Sequence, residues 1–506
     1  MIAEIAPVGH LTTTGPRLDG GGRIALPGLI DAHAHVATAV FDPEIQRALL
    51  RQGVTAVIVG QDGIGAAPTT AASAAWSSAY FASIDGPVPL PGGGTVAQWL
   101  AAYDHTVPLN VAVTVPHGTL RYGVTGPEQR VSTPDEVRRL VAGLRQGLAD
   151  GAVGLSTGLE YVPAAWADRA ELAALMGVLA ETGRPHSSHM RGYEALAPTA
   201  VAELLDLADG AGRVPLHIAH YHGDAATLVP LVDEAVTRGY DVTFDSYLYL
   251  KGCSILAMVA LPRWLPLADP AATLYQLADP ATRDRLAGHL ATLDDLWPRT
   301  TLAWVPGIDP VTRGNLHWAE GMTVPEVARR LGVPPAEAAL RMLVASGLRA
   351  SCVFAQPPTN SAASVRALAD HARHMAGSDS IYAPVGADAA ESAGRPHPRG
   401  WGALVRYLTL ARDGEWTWAE AVDHTSARAA RRFGLGGRGG LAVGCPADLA
   451  LVDPAGLADH ATYETPRAVA TGIDDVLVAG VPVLAAGELT GATPGTGLRW
   501  HRPRPR

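Results

Sequence analysis

Gly28-Leu29-Ile30-Asp31-Ala32-His33-Ala34-His35-Val36 decides how this chain is read. It starts as an apolar run and ends on two histidines spaced i and i+2. Side chains two apart in a strand face the same side, so His33 and His35 project together from the C-terminal end of the run. Two imidazoles on one face suit a divalent metal ion. Taken alone, the pair reads as well as two ordinary polar positions.

Seven further apolar runs follow, at 55–63, 109–118, 152–161, 185–192, 214–223, 240–249 and 374–382. Amphipathic stretches at 44–52, 133–149, 165–182, 199–211, 225–238 and 362–372 separate most of them. Ser132-Thr133-Pro134-Asp135 supplies an N-cap and a first-turn proline for the second of these. Strand–helix alternation predicts an α/β fold with a parallel sheet. Eight such units predict a (β/α)8 barrel over residues 25–434. A doubly wound open sheet is the alternative, but no GxGxxG follows the first run. More than 100 residues separate Tyr249 from the last run. They include Ala260-Leu-Pro-Arg-Trp-Leu-Pro266 and helical stretches at 324–331 and 335–346, and an excursion of that length is usually functional. We expect a lid at about 252–350. The turn-rich residues 1–24 and the short strands within 435–506 read as a separate β unit made from both ends; the basic tail from His501 reads as a solvated end.

Composition narrows the function. A net charge of −10 and 6% aromatic residues argue against nucleic acid as a partner. No uncharged apolar stretch reaches the ~18 residues of a membrane helix, and Met1-Ile-Ala-Glu lacks a basic leader, so a soluble cytoplasmic protein without a membrane partner is expected. Cys253, Cys352 and Cys445 are scattered, which excludes a four-cysteine zinc cluster. Lys251 is the single lysine among 39 basic residues, so any lysine-dependent step has one candidate.

Other runs also end on ligating side chains: Asp62 in Val59-Gly-Gln-Asp62, His189 in Pro185-His-Ser-Ser-His189-Met-Arg191, His220 in Leu216-His-Ile-Ala-His220-Tyr-His222, and Asp379 in Gly377-Ser-Asp379. Each alone reads better as a cap or a hydrogen-bonded core residue. Five strand ends converging on one point read as a metal-hydrolase shell of His33, His35, Asp62, His189, His220 and Asp379. Nitrogen and carboxylate donors suit zinc, with manganese or iron possible, as one or two ions.

These segments, with Gly151-Ala-Val-Gly-Leu-Ser-Thr-Gly-Leu-Glu-Tyr161, Thr243-Phe-Asp-Ser-Tyr-Leu-Tyr249, His397-Pro-Arg-Gly-Trp-Gly and Pro446-Ala-Asp-Leu-Ala-Leu-Val-Asp453, resemble the amidohydrolase superfamily. Within it the chain resembles the N-acyl-D-amino-acid deacylases. The resemblance implies a metal-bearing barrel, a small β-sandwich built from both chain ends and a lid before the last strand. It implies His33 and His35 for one metal position and His189 and His220 for the other, with Asp379 as general base and acid. Asp62 stands where some relatives carry a bridging cysteine, and Glu160 is the fallback ligand. His222 stands at the position of a lysine that holds the substrate carboxylate. Tyr161 and Tyr247 match substrate-contacting tyrosines. Arg191, Lys251 and Arg399 are further cation candidates, and His117 a positioning or structural one. The implied reaction is hydrolysis of a small N-acylated substrate, with the oligomeric state left open. A cyclic amidase of the dihydroorotase or hydantoinase type is the alternative, weakened because strand four has no lysine to carboxylate. A natural-product deacylase and a non-catalytic barrel binding protein complete the set.

Overall fold

In the computed structural model the apolar runs become strands. It describes residues 1–7, 9–10, 17–86, 92–309, 313–382, 384, 392 and 394–502. Leu29–Asp31, Val54–Val59 and Asn110–Val113 lie side by side in parallel. Val115–Pro116, Leu155–Gly158, His186–His189, Leu216–Ile218, Val242–Ser246 and His374–Ala376 form a second parallel sheet in that order. The run 110–116 therefore contributes to both sheets. Ala34–His35 pairs in parallel with Ser380–Ile381, and the Asp379 N–H donates to the His33 carbonyl (2.8 Å).

This is a mixed α/β fold. Its parallel strands are buried along their whole length, as strands covered on both faces must be. The expected helices form at Pro43–Leu50, Pro134–Ala149, Arg169–Thr182, Ala197–Gly210, Ala225–Thr237 and Ala362–Ala369. At Pro134–Ala149 the start is a capping box between Thr133 and Glu136, with proline in the first turn.

Ile24–Pro27 joins Leu449–Val452, Ile473–Val478, Val481–Ala485 and Glu488–Leu489 in an antiparallel sheet. The apolar face of this sheet, with Ile473, Val476 and Val483, joins the same core as Leu29 and Leu49. Further along, Gly497–Leu498 pairs in parallel with Val111–Ala112. Residues 503–506 of the basic tail lie outside the described residues.

The long excursion contains an antiparallel sheet of Lys251–Ile255, Ser351–Ala355 and Thr300–Trp304 and, among the described residues between Leu256 and Ala345, five α-helices. It has its own core around Leu256, Trp297, Leu302 and Leu343, which also takes in Ile64, Val162 and Ile381 from just beyond the strand ends. That shared core seats the insertion over the C-terminal ends of the strands. Among the described residues no helix is long and apolar enough to cross a membrane.

Candidate metal centre

His33, His35, Asp62, His189, His220 and Asp379 all leave strand ends on the insertion side and are nearly or wholly buried. Their ligand atoms fall into two groups that share Asp62: one with His33, His35 and Asp379, the other with His189 and His220. Within each group the atoms lie within 4.8 Å of one another. Asp62 Oδ1 is 3.6 Å from His33 Nε2, and Oδ2 is 3.5 Å from His35 Nε2 and 3.4 Å from His220 Nε2. Asp379 Oδ1 lies 3.6 and 3.4 Å from the Nε2 atoms of His33 and His35.

The backbone is bent to hold this geometry. Asp62 (φ 57°), His220 (φ 33°) and Asp379 (φ 50°) all sit at positive φ, a conformation that costs L-residues about 1–3 kcal/mol and gathers at functional sites. Gly158 lets the turn at Asp62 approach: a Cβ there would lie 2.0 Å from the Asp62 carbonyl oxygen. Gln61 ties the turn down, donating to the Ala32 carbonyl (2.9 Å) and accepting from Ser187 Oγ (2.8 Å).

Three of the four histidines are braced from behind by a carboxylate, as metal-ligating histidines commonly are. Asp245 Oδ2 faces His33 Nδ1 (3.3 Å), while its Oδ1 accepts the His220 N–H (2.9 Å). Asp85 Oδ1 faces His35 Nδ1 (3.4 Å). Glu160 Oε2 accepts from His189 Nε2 (2.9 Å). Glu160 thus lies on the far nitrogen of a candidate ligand, not among the ligand atoms themselves. Asp245 stood in a quoted motif but carried no assigned role. Asp85 follows the helix Ala71–Tyr80 in a turn with no periodic signal that would point to it. Burial pushes the Asp245 carboxyl up, but His33 and His217 outweigh it and hold it far below the usual range.

The donor set fits a metal. His33 Nε2 and Asp62 Oδ1 are buried polar atoms without a hydrogen-bond partner, and such orphans at the centre of a cluster are what a cation would satisfy.

A cavity of about 600 Å³ opens onto this cluster. Glu160, Tyr161, His222 and Tyr247 line it. Tyr161 Oη lies 2.9 Å from His189 Nδ1. His222 stacks on Tyr193 at 4.7 Å and donates from Nδ1 to the His220 carbonyl (2.7 Å). Burial and the neighbouring His220 lower its pKa to about 4, which favours the neutral ring. Arg399 is fully buried beside the cavity, its Nη2 2.8 Å from Asp379 Oδ2 and its guanidinium 4.6 Å over the Tyr247 ring.

Three expected residues do not join the site. Arg191 spends its donors on Glu203 and on the carbonyls of Ala165 and Ala167, bracing a loop. The Lys251 ammonium sits 4.0 Å over the Tyr463 ring, where the aromatic face attracts it. His117 donates to Glu171 (2.7 Å) in a buried pair that also holds Arg121.

Comparison with known proteins gives the family. Residues 18–484 match the model of the Amidohydrolase family. The chain is 30% identical to N-acyl-D-glutamate deacylase of Alcaligenes xylosoxydans xylosoxydans, covering 95% of this chain and 88% of that one. It superposes on the solved N-acyl-D-glutamate deacylase of Bordetella bronchiseptica, complexed with zinc and a phosphonate mimic of the tetrahedral intermediate, with a TM-score of 0.75 at 28% identity over 95% and 90% of the two chains. A D-aminoacylase structure concerned with a binuclear metal centre gives 0.72 at 27% identity, over 94% and 90%. With its histidine pairs, shared Asp62 and Asp379 at the ends of parallel strands, the chain belongs to the amidohydrolase family.

Proposed function

We propose that this protein is a metal-dependent deacylase that hydrolyses the amide bond of an N-acyl-D-amino acid or a closely related N-acylated amine. The observation that carries the reading is Asp62, whose carboxylate is shared between the His33/His35 pair and the His189/His220 pair. Zinc suits these nitrogen and carboxylate donors, with His33, His35, Asp62 and Asp379 holding one ion and Asp62, His189 and His220 the other. When bound, such a metal supplies an activated water and polarises the scissile carbonyl. We further propose that the eight parallel strands close into one (β/α)8 barrel over 25–434. The run 110–116 spans one seam and the pairing of Ala34–His35 with Ser380–Ile381 the other. The terminal sheet then forms a small composite unit and the insertion a lid.

The chain's own residues divide the work. Asp379 faces the cavity as a carboxylate: burial raises its pKa, but Arg399, His35 and His33 hold it near 2. It takes the proton of the nucleophilic water and passes it to the departing amine. Arg399 fixes that carboxylate and places a cation where the substrate's carboxylate arrives. Tyr161, His222 and Tyr247 offer neutral polar contacts. The lid excludes water from the cavity. The cyclic-amidase alternative loses its bridge, because the single lysine is held on Tyr463. The free cysteines, Cys253, Cys352 and Cys445, support a reducing compartment such as the cytoplasm.

A hydrolysis screen over N-acyl derivatives of D- and L-amino acids, with metal analysis of the same preparation, tests the proposal. Release of free D-amino acid by metal-loaded protein is expected. Metal-loaded protein that hydrolyses none of them overturns it.

A further inference from the structure

The cavity has two unlike halves. One is the ligand cluster with Asp379. The other is a chamber walled by Tyr80 and Ile84, from the segment around the end of the helix Ala71–Tyr80, and by Met258, Val259, Leu293 and Phe354 of the insertion. The four insertion side chains are packed against the second core on one side and only half-buried, so apolar surface is left facing the cavity. At about 600 Å³ the whole cavity, ligand cluster included, lies in the middle of the roughly 300–1,000 Å³ that holds drug-sized ligands, more than an N-acetyl amino acid needs. The charged residues lining the cavity outside the ligand cluster are Glu160, Glu194 and Arg263; Glu160 is engaged by His189 and Arg263 is exposed. A second substrate carboxylate therefore meets two anions and no buried free cation among the described lining residues.

Resting on the deacylase reading, we infer that the insertion-walled chamber receives the acyl half of the substrate and selects a medium- to long-chain apolar acyl group over acetyl. The amino-acid half is tethered beside Asp379 and Arg399, and its side chain is limited to natural sizes. The acyl half is the part whose length can grow into the chamber. Each methylene that leaves water for the apolar wall favours binding about three- to fourfold.

Zinc-loaded protein should be assayed with N-acetyl-, N-hexanoyl-, N-octanoyl- and N-decanoyl-D-leucine. We expect kcat/KM to rise at least ~100-fold from acetyl to decanoyl. Met258→Glu should cut the decanoyl-to-acetyl ratio at least tenfold, and the milder Leu293→Gln should cut it in the same direction. Hydrolysis that is flat or falls with chain length overturns the acyl assignment and leaves the deacylase standing, as does an unchanged ratio in both folded variants. If no member of the series is hydrolysed, the deacylase reading fails and this inference with it.

Discussion

Arg399 Nη2 lies 2.8 Å from Asp379 Oδ2 at a point where neither side chain has more than slight contact with solvent. The other oxygen of Asp379 faces His33 and His35, so the carboxylate is held at both ends. Asp379→Ala should abolish turnover while bound metal stays nearly intact, because five other ligand side chains remain. Arg399→Met should lower kcat by about 10²-fold with metal content unchanged. Steady-state kinetics with metal analysis checks both, and normal turnover in Asp379→Ala would remove it from the reaction.

Asp62 is the only residue common to the two ligand groups among the described residues. Asp62→Ala should reduce the metal bound per chain at saturation, which dialysis followed by elemental analysis measures. Asp62→Cys should keep zinc and lose manganese preferentially, since thiolate is the softer donor. Unchanged stoichiometry in Asp62→Ala would take the residue out of the centre.

The carboxylates behind the histidines act at one remove. Asp85→Asn leaves His35 in place but withdraws the charge from its Nδ1. Outer partners of this kind are worth about 10- to 100-fold in metal affinity. Competition with a chelator should show one weakened site and one normal site. Equal weakening of both would mean that Asp85 acts through the fold instead.

Glu171 gives a stability test away from the centre. It is fully buried and held by His117 and Arg121. Burial raises its pKa, yet these partners bring it down to about 2 from an ordinary 4.5. A folded pKa below the unfolded one stabilises the protein above the unfolded value, and that stability is lost as pH falls toward the folded value. Wild type should therefore exceed Glu171→Gln in stability at pH 7, roughly 3 kcal/mol of it from ionisation. The gap should close between about pH 4.5 and 2. Urea midpoints at several pH values measure it, and a constant gap would contradict the assignment.

The six residues of the ligand cluster were legible because each ends an apolar run, and period-2 geometry fixes the side a strand residue faces. The same logic located the helices and the insertion. What the sequence withheld depends on chain segments meeting in space. Asp85 reaches His35 from a turn with no periodicity, and Gln61 bridges Ala32 and Ser187 across three elements. Lys251 drew attention by being unique, but an ammonium goes to the nearest favourable partner, here the Tyr463 ring. His222, by contrast, lines the cavity, where burial favours its neutral form.

The pairing of Gly497–Leu498 with Val111–Ala112 has a consequence for the order of events in folding. These partners are 386 positions apart, and contacts of such sequence separation form late. Until residue 498 has left the ribosome, the Asn110–Val113 strand has one unprotected edge, open to any other extended chain. The sheet that carries His33 and Asp62 is thus completed only once residue 498 has been made. A nascent chain stalled before that point would expose a pairing edge directly beside the metal-binding strands.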